Sequence, residues 1–182
     1  MADLNGKKIA ILTANEGVEQ VEYTEPRKAL EHAGATVELI APEKGEVQMF
    51  EHLDKAETFR ADKAVSDASA DDYDGLMLPG GVANPDNLRT HPEVIGFVQG
   101  FVNAGKPIAA ICHAPWTLVE ADAVKGRTLT SWPSLQTDIR NAGGTWVDEE
   151  VHVDTNGAGV LISSRKPDDL KAFCAELVDR FA

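Results

Sequence analysis

The segment Lys106–Thr117, KPIAAICHAPWT, most strongly constrains the fold, because it predicts a buried strand that runs directly into a helix. Residues 107–111 form a short apolar run, which is typical of a strand covered on both faces. The helix opens with Pro115, which is tolerated because the first turn of a helix does not need its missing N–H. Cys112 stands at the junction. Its side chain is therefore expected at the carboxyl edge of the sheet, where open α/β sheets bind ligands.

This arrangement predicts a nucleophile elbow, a strained turn that exposes a reactive side chain above the sheet. The thiol of Cys112 would lie at the start of a helix predicted over Ala114–Val124, where free N–H groups and the helix dipole lower the pKa of a thiol. A free Cys is more often a small buried hydrophobic residue. The neighbouring His113, a titratable group in the same turn, favours a chemical role for Cys112. The second cysteine, Cys174, lies in an apolar helical stripe and is interpreted as a core residue.

Strands and helices alternate along the rest of the chain. Strands are predicted over residues 7–13, 36–41, 73–79, 107–111 and 128–131, with a hairpin formed by 150–154 and 160–164. Helices are predicted over residues 21–32, 92–103, 114–124, 133–142 and 167–181. Residues 14–20 and 82–90 are expected to be loops, and residues 43–70 to hold a short hairpin or edge strands. The pattern predicts an α/β fold, a doubly wound, flavodoxin-like parallel-sheet sandwich, in a single domain over residues 1–182.

Length and charge restrict the classes of partner. A chain of 182 residues fits one domain and can bury a core without disulfides or metal. The net charge of −13 opposes non-specific binding to nucleic acid or to an anionic membrane. No apolar run reaches the length of a membrane span, and the first residues lack the apolar core of a signal peptide. With two Cys and no metal-binding spacing, we expect a cytoplasmic protein without a metal, a cofactor, nucleic acid or a membrane as partner.

Acidic residues follow the first predicted strand at the same edge of the sheet. Glu16, Glu19 and Glu22 lie in or just after the predicted loop 14–20, and one of them could reach the thiol of Cys112. A carboxylate there would raise the thiol pKa by repulsion. A neighbouring acid stabilises the thiolate of Cys112 only if its carboxyl is buried and protonated, so that it donates a hydrogen bond to the sulfur. At least one of the three acids is expected to be solvated, and these residues alone leave open which one contacts the thiol.

Gly80 and Gly81 end the strand predicted over residues 73–79 and allow the backbone to approach a ligand closely. Together with the N–H of His113, their N–H groups could form an oxyanion hole. Two consecutive glycines are equally typical of a simple tight turn. The predicted elbow at Cys112 beside them is what favours an oxyanion hole. No GxGxxG or Walker pattern indicates a phosphate site.

Taken together, these residues resemble the PfpI family, intracellular proteases and stress proteins related to the Parkinson-associated deglycase, within the class I glutamine amidotransferase-like superfamily. The similarity covers nearly the whole chain and rests on LTANEGVEQVEY, LMLPGG, ANPDNLR, AAICHAPWTL, GRTLTSWPSLQTDIRNAGGTWVDEEV and ISSRKPDDL. The resemblance implies a nucleophile at Cys112 beside His113. It also implies a Glu hydrogen-bonded to the thiol, which is Glu22 or, because loop lengths vary, Glu19.

The resemblance also implies assembly. In PfpI-like members an acid from a neighbouring subunit is thought to orient the His, and the matching residue here is Asp86 in NPDNLR. We therefore expect a homodimer or a hexamer of dimers. Trp132 stands where some members have Tyr, a departure that would alter the pocket.

The activity implied by the resemblance is that of a stress-response hydrolase acting on small carbonyl compounds or their protein adducts, as a glyoxalase or deglycase. The alternatives are an intracellular cysteine peptidase, and a non-enzymatic redox-sensing or chaperone-like protein in which Cys112 is oxidised. A thiolate attacks an aldehyde readily, and His113 could then move a proton between adjacent carbons. Because peptide hydrolysis also needs a leaving-group acid and room for an extended chain, the residues favour carbonyl chemistry.

Overall fold

A computed structural model describes residues 2–182 of the protein. Its strands are β1 (Lys8–Leu12), β2 (Glu16–Glu19), β3 (Thr36–Ala41), β4 (Glu46–Glu51), β5 (Asp54–Arg60), β6 (Lys63–Ala64), β7 (Gly75–Leu78), β8 (Ile108–Ile111), β9 (Thr128–Leu129), β10 (Thr145–Trp146), β11 (Val151–Gly157) and β12 (Gly159–Ser164). Its α-helices are α1 (Gln20–His32), α2 (Ala83–Leu88), α3 (Pro92–Asn103), α4 (Pro115–Glu120), α5 (Gln136–Asn141) and α6 (Leu170–Phe181).

The central sheet has the strand order β11-β12-β8-β7-β1-β3-β6. All neighbouring strands in it run parallel except β11 and β12, which form an antiparallel hairpin at one edge. Alternate residues of β1 contribute to two different apolar clusters, because successive side chains of a strand point to opposite faces of the sheet. One cluster packs against α3, α4 and α5, and the other against α1 and α6. The predicted flavodoxin-like α/β fold is confirmed.

The parallel strands β1, β7 and β8 are neighbours, so their carboxyl ends meet at one edge of the sheet. Cys112 follows β8 directly, and Gly80 and Gly81 follow β7 after one residue. The chain that leaves β1 continues through β2 into α1. The topology therefore brings together three segments that are far apart in the sequence.

Two segments that were predicted to be loops are regular structure. Within residues 14–20, β2 pairs with β4, which joins β5 in a separate three-stranded sheet. Within residues 82–90, α2 forms a short helix with Asn84 and Leu88 buried. Both depend on partners elsewhere in the chain, which local sequence patterns do not show. The hairpin predicted within residues 43–70 is present as β4 and β5.

The helix after Cys112 is shorter than predicted. It covers Pro115–Glu120 instead of Ala114–Val124, because Asp122 adopts a left-handed conformation with φ of 54° that stops the helix. The predicted last helix begins with a 3₁₀ turn over 167–169, and α6 continues from Leu170. None of the helices within residues 2–182 is long and apolar enough to cross a bilayer.

Candidate active site

Cys112 occupies a strained turn at the end of β8. Its φ of 64° lies in the left-handed region, which non-glycine residues rarely adopt. Backbone hydrogen bonds hold it on both sides, since its N–H donates to the carbonyl of Ser164 (3.0 Å) and its carbonyl accepts from the N–H of Trp132 (2.9 Å). The side chain is buried at the edge of the sheet. The structure thus contains the sharp strand-to-helix turn that the sequence predicts.

His113 lies beside the sulfur. Its Nδ1 is 3.0 Å from Sγ of Cys112. The ring is buried, stacked on Trp132 with centroids 5.5 Å apart, and it meets the edge of Trp116 at 5.4 Å. Burial lowers the pKa of His113 to about 4, so the imidazole is neutral at neutral pH. A neutral imidazole nitrogen can accept the thiol proton.

Of the three acids considered, the structure places Glu22 beside the thiol. Its side chain is fully buried on α1, and Oε2 accepts a hydrogen bond of 2.9 Å from the N–H of Gly80. Oε1 has no hydrogen-bond partner among residues 2–182. Glu16 is exposed on β2. Glu19 is half-buried, and its Oε2 accepts from the N–H of His52 (3.0 Å).

Burial raises the pKa of Glu22 to about 8, and repulsion from Glu19 acts in the same direction. The interaction with the thiol of Cys112 and the N–H groups of Gly80 and Gly81 favours the ionised carboxyl, but less strongly than burial opposes it. Glu22 therefore keeps its proton in much of the population at neutral pH. A buried, protonated carboxyl of this kind can donate a hydrogen bond to a thiolate.

The prediction that the pKa of Cys112 is lowered is wrong. Burial and the adjacent Glu22 carboxylate raise the pKa of the thiol, although the N–H groups of Gly81 and His113 act against them. The helix that follows has only six residues, so its dipole contributes little. Because a carboxylate and a thiolate repel each other, Cys112 and Glu22 hold at most one negative charge between them near neutral pH.

We expect the free energy of unfolding to fall as the pH rises from 6.5 to 8. The pKa of Glu22 is about 8 in the folded chain against an ordinary 4.5. The stability linked to its proton is therefore fully present below pH 4.5 and lost as the pH approaches 8. His113 contributes in the opposite sense, but only between its folded pKa of about 4 and its ordinary 6.5. The slope contributed by Glu22 is close to about 1.4 kcal/mol per pH unit near pH 6.5 and falls to roughly half of that value at pH 8.

Urea unfolding of the wild type and Glu22→Gln at several pH values between 6.5 and 8 measures this slope. Gln has nearly the same shape but cannot ionise, so the variant should lose less stability across the window. Equal slopes in the two proteins would show that Glu22 is already ionised in the folded chain at pH 6.5.

The two glycines of the predicted oxyanion hole have different surroundings. The N–H of Gly80 donates to Oε2 of Glu22, so Gly80 serves the carboxyl. The N–H groups of Gly81 and His113 are the ones that lie beside the sulfur of Cys112. An oxyanion formed at a carbon bonded to this sulfur would therefore meet the latter two donors first.

A cavity of about 790 Å³ opens onto Cys112. Its aromatic and acidic wall residues are Phe50, Trp116, Trp132, Glu19, Glu22 and Asp86. Trp132, the predicted pocket residue, is 38 % exposed at the rim, and Leu53 at the tip of the β4–β5 hairpin is 93 % exposed. Asp86 lies on α2 and faces the cavity of its own chain.

Asn84 is a buried residue of the site region that the sequence did not reveal. Its Oδ1 accepts from the N–H of Ala14 (2.7 Å), and its Nδ2 donates to the carbonyls of Pro79 (2.9 Å) and Gly80 (3.0 Å). Asn84 therefore ties α2 to the ends of β1 and β7 and fixes the turn that carries Gly80. The only signal in the sequence was its position four residues after Gly80.

Cys174 is half-buried on α6 and packs against the core cluster of that face, and burial raises its pKa to about 12. No group of three or more His, Cys, Asp or Glu side chains within residues 2–182 is arranged to hold a metal ion.

The fold and the site define an α/β protein with a cysteine at a nucleophile elbow, next to a histidine and a buried glutamate. Residues 7–180 match the sequence model of the DJ-1/PfpI family. The chain belongs to this family.

Relatives and solved structures agree with this assignment. A Bacillus subtilis (strain 168) protein named "Putative cysteine protease YraA" is 42% identical over 170 residues, which cover 93% of this chain and 95% of that protein. The uncharacterised protein SAV1875 of Staphylococcus aureus (strain Mu50) is 40% identical, with 94% and 96% covered.

Among solved structures, a two-domain protein from Anabaena variabilis with DJ-1/ThiJ/PfpI-like and ferritin-like domains is 33% identical, with a TM-score of 0.87. The match covers 96% of this chain but only 48% of that protein, so the chain spans about half its length. Drosophila melanogaster DJ-1beta is 26% identical, with a TM-score of 0.83 and coverage of 97% of this chain and 90% of that protein.

Proposed function

We propose that this protein is a cysteine-dependent enzyme that acts on reactive carbonyl compounds or on the adducts they form with proteins. The observation that carries the proposal is the 3.0 Å separation of His113 Nδ1 and Cys112 Sγ beside a cavity of about 790 Å³. A nucleophile and a base within hydrogen-bond reach are the arrangement that covalent catalysis needs. Because the thiol pKa is raised, His113 would take the proton during the attack instead of relying on a resting thiolate.

With methylglyoxal as substrate, Sγ of Cys112 adds to the aldehyde carbon, and the thiol proton passes through His113 to the carbonyl oxygen. The product is a hemithioacetal. His113 then removes the proton on that carbon and a proton is returned to the adjacent carbonyl carbon. The hydroxyl proton of the hemithioacetal passes to the oxygen of that adjacent carbon, which gives the thioester of lactate. The aldehyde carbon is oxidised and the ketone carbon reduced, so no external oxidant is needed. Water hydrolyses the thioester, releasing lactate and restoring the thiol.

A protein adduct presents the same carbon bonded to a side-chain nitrogen. Attack by Sγ of Cys112 forms the carbon–sulfur bond and breaks the carbon–nitrogen bond, and the thiol proton leaves with the nitrogen as an amine. The product is the same hemithioacetal, and it reacts onward as described for methylglyoxal. In the thioester hydrolysis that ends both reactions, the N–H groups of Gly81 and His113 beside the sulfur would stabilise the oxyanion at the attacked carbon.

Peptide hydrolysis is the second candidate, and one structural observation favours it. The cavity at Cys112 adjoins a second cavity of about 650 Å³, and the two share Glu19, His52, Trp132 and Pro167. This offers room for an extended chain. The name of the Bacillus subtilis relative agrees with such an activity.

An activity panel separates the candidates. Wild type and Cys112→Ala are incubated with methylglyoxal, a methylglyoxal-modified peptide and casein, and product formation is measured for each. We expect turnover of the first two substrates by the wild type and loss of at least about a thousandfold in Cys112→Ala, since the nucleophile is gone. Cleavage of casein alone would establish the peptidase and overturn the carbonyl chemistry.

We also infer a homodimer or a hexamer of dimers. Asp86 has no ion-pair partner among residues 2–182 of its own chain, and Val82 beside its helix is 57 % exposed. Both features suit a surface that faces another subunit. Light scattering gives the mass in solution, and a monomer at micromolar concentration would contradict the inference.

A further inference from the structure

The charge on the wall of the active-site cavity has one sign. Glu19 and Asp86 line the cavity around Cys112, and no Lys or Arg of residues 2–182 lines it. Within the single chain Asp86 is exposed and Glu19 half-buried, and both line the cavity through which a substrate reaches Cys112.

Neither charge is neutralised by a cation. Glu19 accepts a hydrogen bond from the backbone N–H of His52, which supplies a dipole and no net charge. Asp86 makes neither an ion pair nor a side-chain hydrogen bond within residues 2–182. The guanidinium of Arg89 lies 6.0 Å over the ring of the wall residue Trp116, but it pairs with Glu120 at 3.2 Å.

A second observation comes from inside the cavity. Glu22 lines the cavity, and its Oε1 is fully buried and has no hydrogen-bond partner within residues 2–182. Since Glu22 is protonated in much of the population at neutral pH, the fixed negative charges on the cavity wall are those of Glu19 and Asp86. Repulsion from Glu19 also raises the pKa of Glu22, which lies beside the thiol.

The aromatic wall residues also favour neutral and cationic ligands over anions. Phe50, Trp116 and Trp132 present aromatic surface to the cavity. Aromatic faces attract apolar groups and cations, and they disfavour anions because the face of the ring is negative.

We propose that Glu19 and Asp86 are specificity-determining residues, which make the cavity accept neutral and cationic carbonyl compounds and exclude anionic ones. Methylglyoxal would be accepted and glyoxylate, an anionic aldehyde, rejected. The substrate part of this proposal rests on the proposed function. The charge selection itself applies to any reagent that reaches Cys112.

Two alkylating reagents test the charge selection without enzymatic turnover. Iodoacetamide is neutral and iodoacetate is an anion, and both form a carbon–sulfur bond to the thiolate with loss of iodide. In a Cys174→Ala background the rate constants report on Cys112 alone. The rate constant for iodoacetamide is divided by that for iodoacetate, and this ratio is divided by the same ratio measured for 2-mercaptoethanol. The resulting normalised ratio measures exclusion of the anion.

We expect this normalised ratio to be at least about tenfold in the Cys174→Ala protein and to fall at least about fivefold when Glu19→Gln and Asp86→Asn are added. It should also fall in 1 M salt, where the Debye length is about 3 Å. Asp71→Asn is the matched control, because Asp71 is exposed and precedes β7 at the opposite edge of the sheet. It should leave the ratio unchanged.

A ratio near one in the Cys174→Ala protein, or a ratio that the Glu19→Gln/Asp86→Asn change moves no more than Asp71→Asn does, overturns the proposal. A second arm compares kcat/KM for methylglyoxal and glyoxylate. If Asp86 only orients the histidine, its replacement would lower kcat/KM for both aldehydes by the same factor. Loss of charge selection would instead raise kcat/KM for glyoxylate relative to kcat/KM for methylglyoxal. If alkylation is selective but neither aldehyde is turned over, the charge selection stands and the proposed function fails.

Discussion

Replacing Gly80 with alanine is expected to lower kcat/KM for methylglyoxal at least about a hundredfold, because misplacing reacting groups by about 1 Å costs that much. A Cβ at this position would overlap with Oε2 of Glu22 and would lie 2.6 Å from Cβ of Cys112 and 2.8 Å from the carbonyl oxygen of Ile111. The Glu22 carboxyl cannot simply swing away, since it is buried and held by the N–H of Gly80 itself. Either the elbow or the glutamate must move. Overpacking of this kind also destabilises a fold by about 1–3 kcal/mol.

Gly96→Ala is the matched control. Gly96 lies on the exposed side of α3, and a Cβ there would meet no atom within 4 Å. The change should raise helix stability by roughly 0.5–1 kcal/mol without affecting turnover. Urea unfolding and methylglyoxal kinetics on both variants measure the difference. Gly80→Ala with wild-type stability and kcat/KM would contradict the close approach of Gly80, Glu22 and Cys112.

Asn84→Asp is expected to destabilise the fold by at least about 3 kcal/mol. An aspartate could still accept from the N–H of Ala14, but it cannot donate to the carbonyls of Pro79 and Gly80 when ionised. Two buried carbonyls would then face a buried negative charge. Because the carbonyl of Gly80 is one of them, the turn at the active site should shift and turnover should fall as well.

Asn87→Asp makes the same chemical change on the same helix. Asn87 is exposed, and its side chain makes no hydrogen bond within residues 2–182. We expect a change within about 0.5 kcal/mol for this control. Equal losses in the two variants would mean that added charge on α2, and not the buried hydrogen bonds of Asn84, causes the effect.

Features that depend on a continuous stretch of chain were predictable from the sequence. The apolar run 107–111, the cysteine after it and the proline two positions after His113 define the elbow within twelve residues. The alternation of strands and helices gave the parallel sheet, and the sheet in turn placed the first acidic segment, Gly80 and Cys112 at one edge.

Features that depend on distant partners were not predictable. β2 exists because it pairs with β4 about thirty residues later, and Asn84 is informative only once its bond to Ala14, seventy residues away, is known. The thiol pKa was predicted in the wrong direction because burial of Cys112 and its distance from Glu22 follow from packing. The choice of Glu22 over Glu16 and Glu19 likewise depends on how α1 packs against the sheet.

If Cys112 is the nucleophile for a reactive carbonyl, conversion of methylglyoxal to lactate depends on its thiol. The most direct measurement follows methylglyoxal by proton NMR in the presence of wild type, Cys112→Ala and Cys174→Ala at equal concentration. Wild type and Cys174→Ala are expected to form lactate at rates within about twofold of each other, and Cys112→Ala is expected to show only the uncatalysed rate. Lactate formation by Cys112→Ala at the wild-type rate would contradict this role of Cys112, and so would the absence of lactate above background with the wild type.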